Sequence, residues 1–104
     1  MDETYTAKVR IINPHGLHAR AAAQLIKLTS KYECKAGILN SRKPEHCSQT
    51  INDKKYVDAK SIMSVLCMAA EYGHEVEVAT EGRDAKPCLE SVVKLFNSGF
   101  DELN

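Results

Sequence analysis

Two histidines and an arginine lie close together in the segment PHGLHARAAAQ, residues 14–24. Its proline and glycine are turn residues, and the alanine-rich stretch after them has helical spacing, so a helix should begin near Ala19. His18 then lies at the N-cap or next to it, where the first backbone N–H groups have no partner within the helix and the helix dipole is positive. Arg20 adds a guanidinium in the first turn. These residues predict an anion-binding site at the start of a helix.

Reversible phosphoryl transfer is a chemistry that suits this arrangement. A histidine ring nitrogen is a known nucleophile in covalent transfer. A phosphoryl dianion on His18 would face unpaired N–H groups and the guanidinium of Arg20. Histidines at helix starts are also found as partial caps or surface residues, so spacing alone leaves both interpretations open. His15 is predicted to be a turn residue that lines the same site.

Composition limits the class of protein. The chain has 104 residues, 43% of them hydrophobic and 27% charged, which is typical of a single globular domain over residues 1–104. Lysine plus arginine and aspartate plus glutamate both total 14. This neutrality argues against nucleic-acid or membrane binding, which needs excess positive charge. The acidic, polar start MDETYTAKVRII is unlike a secretory signal, so we expect a cytoplasmic protein.

The four cysteines do not predict a metal site. They are Cys34, Cys47, Cys67 and Cys88, with no CxxC pair among them. The tripeptide at 45–47, which contains His46, is a weak candidate for metal or redox chemistry. We expect no metal, no cofactor and no disulfide, with the cysteines as small packing side chains and one exposed thiol.

Hydrophobic periodicity predicts the order β-α-β-β-α-β-α. Alternation marks strands in YTAKVRII and HEVEVAT, and CKAGIL is a short second strand. Two strand-like pieces, Thr50-Ile51 and Tyr56-Val57, flank a turn at NDKK. Helical spacing follows Ala19, and KSIMSVLCMAA predicts a short helix with Ser61 as its N-cap and Ile62, Val65, Leu66 and Ala69 on its core face. Asp84 is predicted to cap a third helix. Helices covering one face of a mainly antiparallel sheet make a two-layer α+β domain.

Two motifs resemble the HPr phosphocarriers of the bacterial phosphotransferase system. GLHARAAAQLIKL resembles their active-site segment, and KSIM at 60–63 resembles the start of their second helix. The resemblance extends from about Tyr5 to Glu102. It implies an open-faced β-sandwich, with four antiparallel strands covered on one face by three helices.

The resemblance also implies a function, that of a phosphoryl carrier rather than an autonomous enzyme. His18 would accept a phosphoryl group from enzyme I, which takes it from phosphoenolpyruvate, and pass it to a IIA-type acceptor protein. Arg20 would stabilise the phosphate, and the backbone of Ala19 and Arg20 would donate N–H groups to it. We expect a monomer.

A second phosphorylation site and a docking surface are implied as well. Ser61 matches the serine that HPr kinase/phosphorylase modifies in many members, although a simple N-cap explains it equally well. Ile62, Met63 and Leu66 stand where the family docks its partners, and Ile62 and Leu66 also suit the core. The alternative function is a regulatory binding module controlled by phosphorylation of Ser61.

The sequence departs from the family in two places. Most sugar-transport members have proline after HAR, whereas this chain has Ala21 and therefore one more backbone N–H near the anion site. This alanine and the segment MAAEYGHEVEV point towards the nitrogen-related branch, without deciding it. An extra loop is predicted at about 40–50, between the second and third strands.

Overall fold

The computed structural model describes residues 3–42, 44 and 47–102. Within these residues the chain forms five strands and three α-helices. In chain order they are β1 (Glu3–Arg10), α1 (Ala19–Thr29), β2 (Lys35–Asn40), β3 (Gln49–Ile51), β4 (Lys54–Asp58), α2 (Ile62–Cys67), β5 (Glu75–Gly82) and α3 (Ala85–Asn97), followed by a 3-10 turn at Gly99–Asp101. None of the described helices has the length and apolarity needed to cross a bilayer.

The sheet is antiparallel, with the strand order β1-β5-β2-β4-β3. Its longest pairing, between the edge strand β1 and β5, sets Ala7 opposite Val78, so alternate side chains of both strands face the same way. Helix α3 packs on β1 and β5, and α1 packs against both α2 and α3. The predicted α+β class and the HPr-like open-faced β-sandwich are confirmed.

The sheet has five strands where four were expected. Asn52 and Asp53 both have positive φ, 52° and 65°, and form a two-residue hairpin turn. Lys54 and Lys55, assigned to the turn from sequence, belong instead to β4. The two strand-like pieces are thus separate strands, and the third β in the predicted order is a hairpin.

The main core lies between the sheet and the helices. Its strand residues are those of the alternating pattern, among them Val9, Val76 and Val78, all at most 5% exposed. The predicted core face of α2 is wrong at one position, because Ile62 is 39% exposed whereas Val65 and Met68 are fully buried. Helix α2 ends after six residues, so it is too short to bury the whole predicted stripe.

A smaller apolar cluster covers part of the opposite sheet face. Ile51, Tyr56 and Ala79 are buried there, at the β3–β4 hairpin and β5. Gly37 makes room for it, because a Cβ at this position would lie 2.6 Å from Cβ of Tyr56. The extra loop at 40–50 stays a prediction, since residues 43, 45 and 46 lie outside the described residues, and with them the His46 candidate.

Asp84 joins α3 to the start of β2. It occupies the predicted N-cap position, but its side chain makes no capping hydrogen bond to α3. Its two carboxylate oxygens instead accept hydrogen bonds from the backbone N–H groups of Glu33 and Cys34, each at 2.9 Å. Cys34 and Cys88 are buried beside this junction, while Cys67 is exposed.

Candidate functional site

His18 is the N-cap residue of α1. Its backbone is extended, with φ −76° and ψ −178°, and its carbonyl accepts the first helical hydrogen bond, from Ala22 N at 2.8 Å. The imidazole turns back over the helix start, where Nδ1 accepts a hydrogen bond from the backbone N–H of Arg20 at 3.2 Å. The structure therefore places His18 where the sequence predicted it, with one ring nitrogen directed at the positive end of the helix.

The turn before His18 is held against the segment that follows α2. Gly16 has φ +66°, and a Cβ at this position would lie only 2.7 Å from the carbonyl oxygen of Ala70. The next residue, Leu17, donates its N–H to that same oxygen at 3.0 Å. Only glycine fits this close approach, which fixes the path of the chain into the site.

Arg20 lies in the first turn of α1 with its side chain exposed. Within the described part of the chain, no hydrogen bond takes up the backbone N–H groups of Ala19 and Ala21. The exposed amide of Ala19 and the guanidinium of Arg20 are therefore available to an anion at the helix start. The amide of Ala21 is unpaired, as expected from the absence of proline, but Ala21 is fully buried, so this N–H is not accessible to an anion.

Glu102 completes the site and was missed by the sequence reasoning. Its Oε2 lies 2.6 Å from Nε2 of His18, and its side chain is only 10% exposed. The 3-10 turn after α3 carries it there, with Phe100 and Asp101 both in the left-handed conformation. The two partners are 84 residues apart in sequence, and no local motif signals such a contact.

These contacts assign the tautomer of His18. Nδ1 accepts from a backbone N–H, so it carries the lone pair, and Nε2 must hold the proton that is donated to Glu102. Burial raises the pKa of the Glu102 carboxyl. The Asn13 amide, the His18 ring and the charge of Arg20 outweigh burial, and the pKa lies below its ordinary value. Glu102 is therefore a carboxylate at neutral pH.

His15 lies beside the site, as predicted. Its ring centroid is 5.7 Å from that of His18, and the two rings are nearly perpendicular, at 89°. The side chain is exposed.

The residues expected to bind partners lie on and after α2. Met63 is 67% exposed and Ile62 39%, whereas Leu66 is half-buried in the core. Tyr72, which the sequence reasoning did not single out, is 64% exposed and has its backbone N within 3.3 Å of the Cβ position at Gly16. Ser61 caps α2 as predicted, its Oγ accepting from Ser64 N at 3.3 Å. We call Ile62, Met63 and Tyr72 the apolar surface.

Known proteins resemble this chain over most of its length. The family model described as "PTS HPr component phosphorylation site" matches residues 5–98. The chain is 39% identical to the phosphocarrier protein HPr of Pseudomonas aeruginosa over 95 residues, 91% of this chain and 93% of the relative. It is 30% identical to the phosphocarrier protein NPr of Escherichia coli, covering 95% of this chain and 98% of the relative.

Solved structures give the same result. The crystal structure of HPr-C-His from Thermoanaerobacter tengcongensis superimposes with a TM-score of 0.77 at 29% identity, covering 96% of this chain and 99% of the other. The chain belongs to the HPr phosphocarrier family of the phosphotransferase system.

Proposed function

We propose that this chain accepts a phosphoryl group on Nδ1 of His18 from phosphorylated enzyme I and passes it to a IIA-type acceptor. The main support for the proposal is that the two ring nitrogens of His18 have different partners. Nε2 is occupied by Glu102, while Nδ1 presents its lone pair at the amino end of α1. Only Nδ1 is therefore both nucleophilic and next to an anion site.

The transfer step needs only phosphorylated enzyme I, the ring of His18 and the carboxylate of Glu102. The lone pair of Nδ1 attacks phosphorus, a new N–P bond forms, and the bond between phosphorus and enzyme I breaks with its electron pair returning to that protein. The imidazole keeps its Nε2 proton and becomes positively charged. The carboxylate of Glu102, hydrogen-bonded to that proton, stabilises the charge. Transfer to the acceptor reverses these changes.

Arg20 and the start of α1 would bind the transferred group. Phosphorylation replaces the lone pair of Nδ1, so the N–H of Arg20 is released to donate to a phosphoryl oxygen instead. The exposed, unpaired amide of Ala19 provides a further donor, and the guanidinium of Arg20 matches phosphate oxygens in charge and shape. The exposed arginine can also reach the approaching partner.

The apolar surface is the natural docking area for both partners. Tyr72 follows the segment that contacts the turn before His18, so this part of the apolar surface adjoins the phosphorylation site. Large exposed apolar side chains such as Ile62, Met63 and Tyr72 are typical of interaction sites. One surface used in turn by donor and acceptor suits a carrier that must release each partner.

The test is phosphorylation from phosphoenolpyruvate. The protein is incubated with phosphoenolpyruvate and enzyme I, and the adduct is followed by intact mass and by its lability in acid. We expect one acid-labile phosphoryl group, absent in His18→Ala and retained in His15→Ala, the matched control at the neighbouring ring. Transfer onward is read as loss of the adduct when a IIA-type protein is added. An unlabelled wild type, or a labelled His18→Ala variant, would overturn the proposal.

Phosphorylation of Ser61 is proposed as a regulatory step on the same carrier. Its hydroxyl caps α2 beside Ile62 and Met63, so a phosphate there would place negative charge on the apolar surface and oppose docking. An acid-stable adduct formed with ATP and HPr kinase/phosphorylase, and lost in Ser61→Ala, is the expected result. The cap hydrogen bond explains the residue fully if no adduct forms. No feature of the described residues supports the alternative function of a separate regulatory binding module.

A further inference from the structure

Asn13 connects the turn before His18 to the segment that carries Glu102. Its side chain is fully buried. Nδ2 donates one hydrogen bond to the carbonyl oxygen of Gly16 at 2.8 Å and a second to Oε1 of Glu102 at 3.0 Å. The other oxygen of the same carboxylate, Oε2, contacts His18. One amide group therefore links both sides of the site.

The orientation of this amide is determined by its neighbours. Rotating it by half a turn would point Oδ1 at a carbonyl oxygen and a carboxylate oxygen, which are both acceptors. In the observed orientation Oδ1 is buried without a hydrogen-bond partner among the described residues. A buried acceptor without a partner among the described residues costs free energy, and such groups are uncommon.

We propose that Asn13 is a positioning residue that acts through Glu102 to fix the tautomer of His18. This inference rests on the proposed function of His18. By holding Oε1, Asn13 keeps the carboxylate turned so that Oε2 takes the Nε2 proton. Nδ1 then keeps its lone pair for the N–P bond. Without Asn13, the carboxylate is free to rotate about its last bond, and the ring loses its fixed partner.

The inference makes a specific prediction for Glu102→Gln. The new amide has one oxygen and one NH₂ group, and Asn13 donates, so the oxygen must face Asn13. The NH₂ group then faces Nε2 of His18, which has to accept, so the ring proton moves to Nδ1 and the hydrogen bond from the N–H of Arg20 to Nδ1 is lost. Removing Asn13 as well frees the new amide to turn over, so that its oxygen again accepts from Nε2. The two substitutions together should therefore restore the tautomer that the single one inverts.

Nitrogen-15 NMR of the unphosphorylated protein measures this directly, because protonated and unprotonated imidazole nitrogens have well-separated shifts. We expect a protonated Nε2 in the wild type, a protonated Nδ1 in Glu102→Gln, and a protonated Nε2 again in the Asn13→Ala/Glu102→Gln pair. In Asn13→Ala alone, the Nε2 proton should exchange faster with water than in the wild type. Asn40→Ala is the matched control, since Asn40 is also fully buried but bonds His74. It should leave the His18 signals unchanged.

Phosphoryl transfer gives a second readout. Asn13→Ala should slow acceptance from enzyme I by about tenfold, the usual effect of removing a group that orients a functional histidine. If Asn13→Ala does not fold, the comparison of the wild type with Glu102→Gln still tests the inference. A protonated Nε2 in Glu102→Gln, with Asn13 in place, would overturn it. Because the NMR experiment needs no phosphate, its outcome is distinct from a failure of His18 to accept one.

Discussion

At the scale of single residues, the site depends on what surrounds one imidazole. Nδ1 faces the amides at the start of α1, and Nε2 faces Glu102. Nδ1 thus accepts from a backbone N–H, and Nε2 donates to a carboxylate. The same ring would have no preferred nucleophilic atom if it were simply exposed on a surface.

Arg20 gives the first prediction at this scale. Arg20→Ala should slow acceptance of the phosphoryl group by roughly 10- to 100-fold, because a hydrogen bond to a charged group contributes about 1.5–3 kcal/mol. Rates of adduct formation measured by rapid-quench mass spectrometry test this. Arg83→Ala is the matched control, since Arg83 is also exposed but pairs with Glu33. Equal rates for the two variants would contradict a role for Arg20 in binding the phosphoryl group.

Gly16 and Gly73 provide a matched pair for the turn. Both have positive φ, but a Cβ at Gly16 meets Ala70 O at 2.7 Å, whereas one at Gly73 meets nothing within 4 Å. Gly73→Ala should cost about 1 kcal/mol of unfolding free energy from backbone strain alone. Gly16→Ala should cost about 1 kcal/mol more, because the backbone must also shift. Urea denaturation measures both, and equal losses would contradict the close approach.

At the scale of elements, a partly buried carboxylate links the β3–β4 hairpin to β5. Glu77 of β5 accepts hydrogen bonds from the hydroxyl of Tyr56 and from Nζ of Lys54 on β4. Burial raises the pKa of Glu77. The two hydrogen bonds and the nearby charges of Lys54 and Lys8 outweigh it, so the pKa lies below its ordinary value. The folded state therefore favours the carboxylate form.

This arrangement predicts a pH-dependent loss of stability. A carboxyl whose pKa is lowered by folding stabilises the protein fully above its unfolded pKa of about 4.3, and this contribution is lost as the pH falls through the folded value. Glu77→Gln should cost about 1 kcal/mol at neutral pH, a modest value because the Lys54 end is solvent-screened. The difference from the wild type should shrink as the pH falls below 4. A constant difference from neutral pH to acid would contradict the assignment; thermal unfolding across this range measures it.

The elements also show what local sequence can and cannot predict. The start of α1 and the capping role of Ser61 follow from residues within one helical turn of each other, and the structure has both. The predicted core face of α2 was wrong at Ile62, because the burial of a helix residue depends on how far a short helix extends over the sheet. Asp84 occupies its predicted position but binds Glu33 and Cys34, which only the tertiary fold brings near.

At the scale of the whole molecule, the segment after β1 and the segment after α3 meet at the site. Asn13 follows β1, and Glu102 follows α3, yet they share a hydrogen bond across 89 positions of sequence. Neither residue could be assigned a role from sequence, since the contact depends on the left-handed turn at Phe100 and Asp101. Residues in that conformation are uncommon, and their sequence gives no warning.

Phe100 and Phe96 give the prediction at this scale. Both rings are fully buried, and their centroids lie 4.9 Å apart. Only Phe100 lies in the turn that positions Glu102. Phe100→Ala and Phe96→Ala should each lower the unfolding free energy by about 3–5 kcal/mol. Only Phe100→Ala should also free the Nε2 proton of His18 to exchange rapidly in the folded protein. The exchange rate of this proton is measured by NMR under native conditions. Equal rates in the two variants would show that the turn at Phe100 does not position Glu102 against His18.

Pro14 affects how long this site survives chemically. Asparagine side chains slowly lose ammonia when the backbone nitrogen of the next residue attacks the side-chain carbonyl, and that closure needs an N–H. Proline has none, so Asn13, which directly precedes Pro14, is protected from conversion to aspartate. Asn52, exposed in the hairpin turn and followed by Asp53, lacks this protection. In aged protein, deamidation should therefore accumulate in the hairpin while the amide beside Glu102 remains intact.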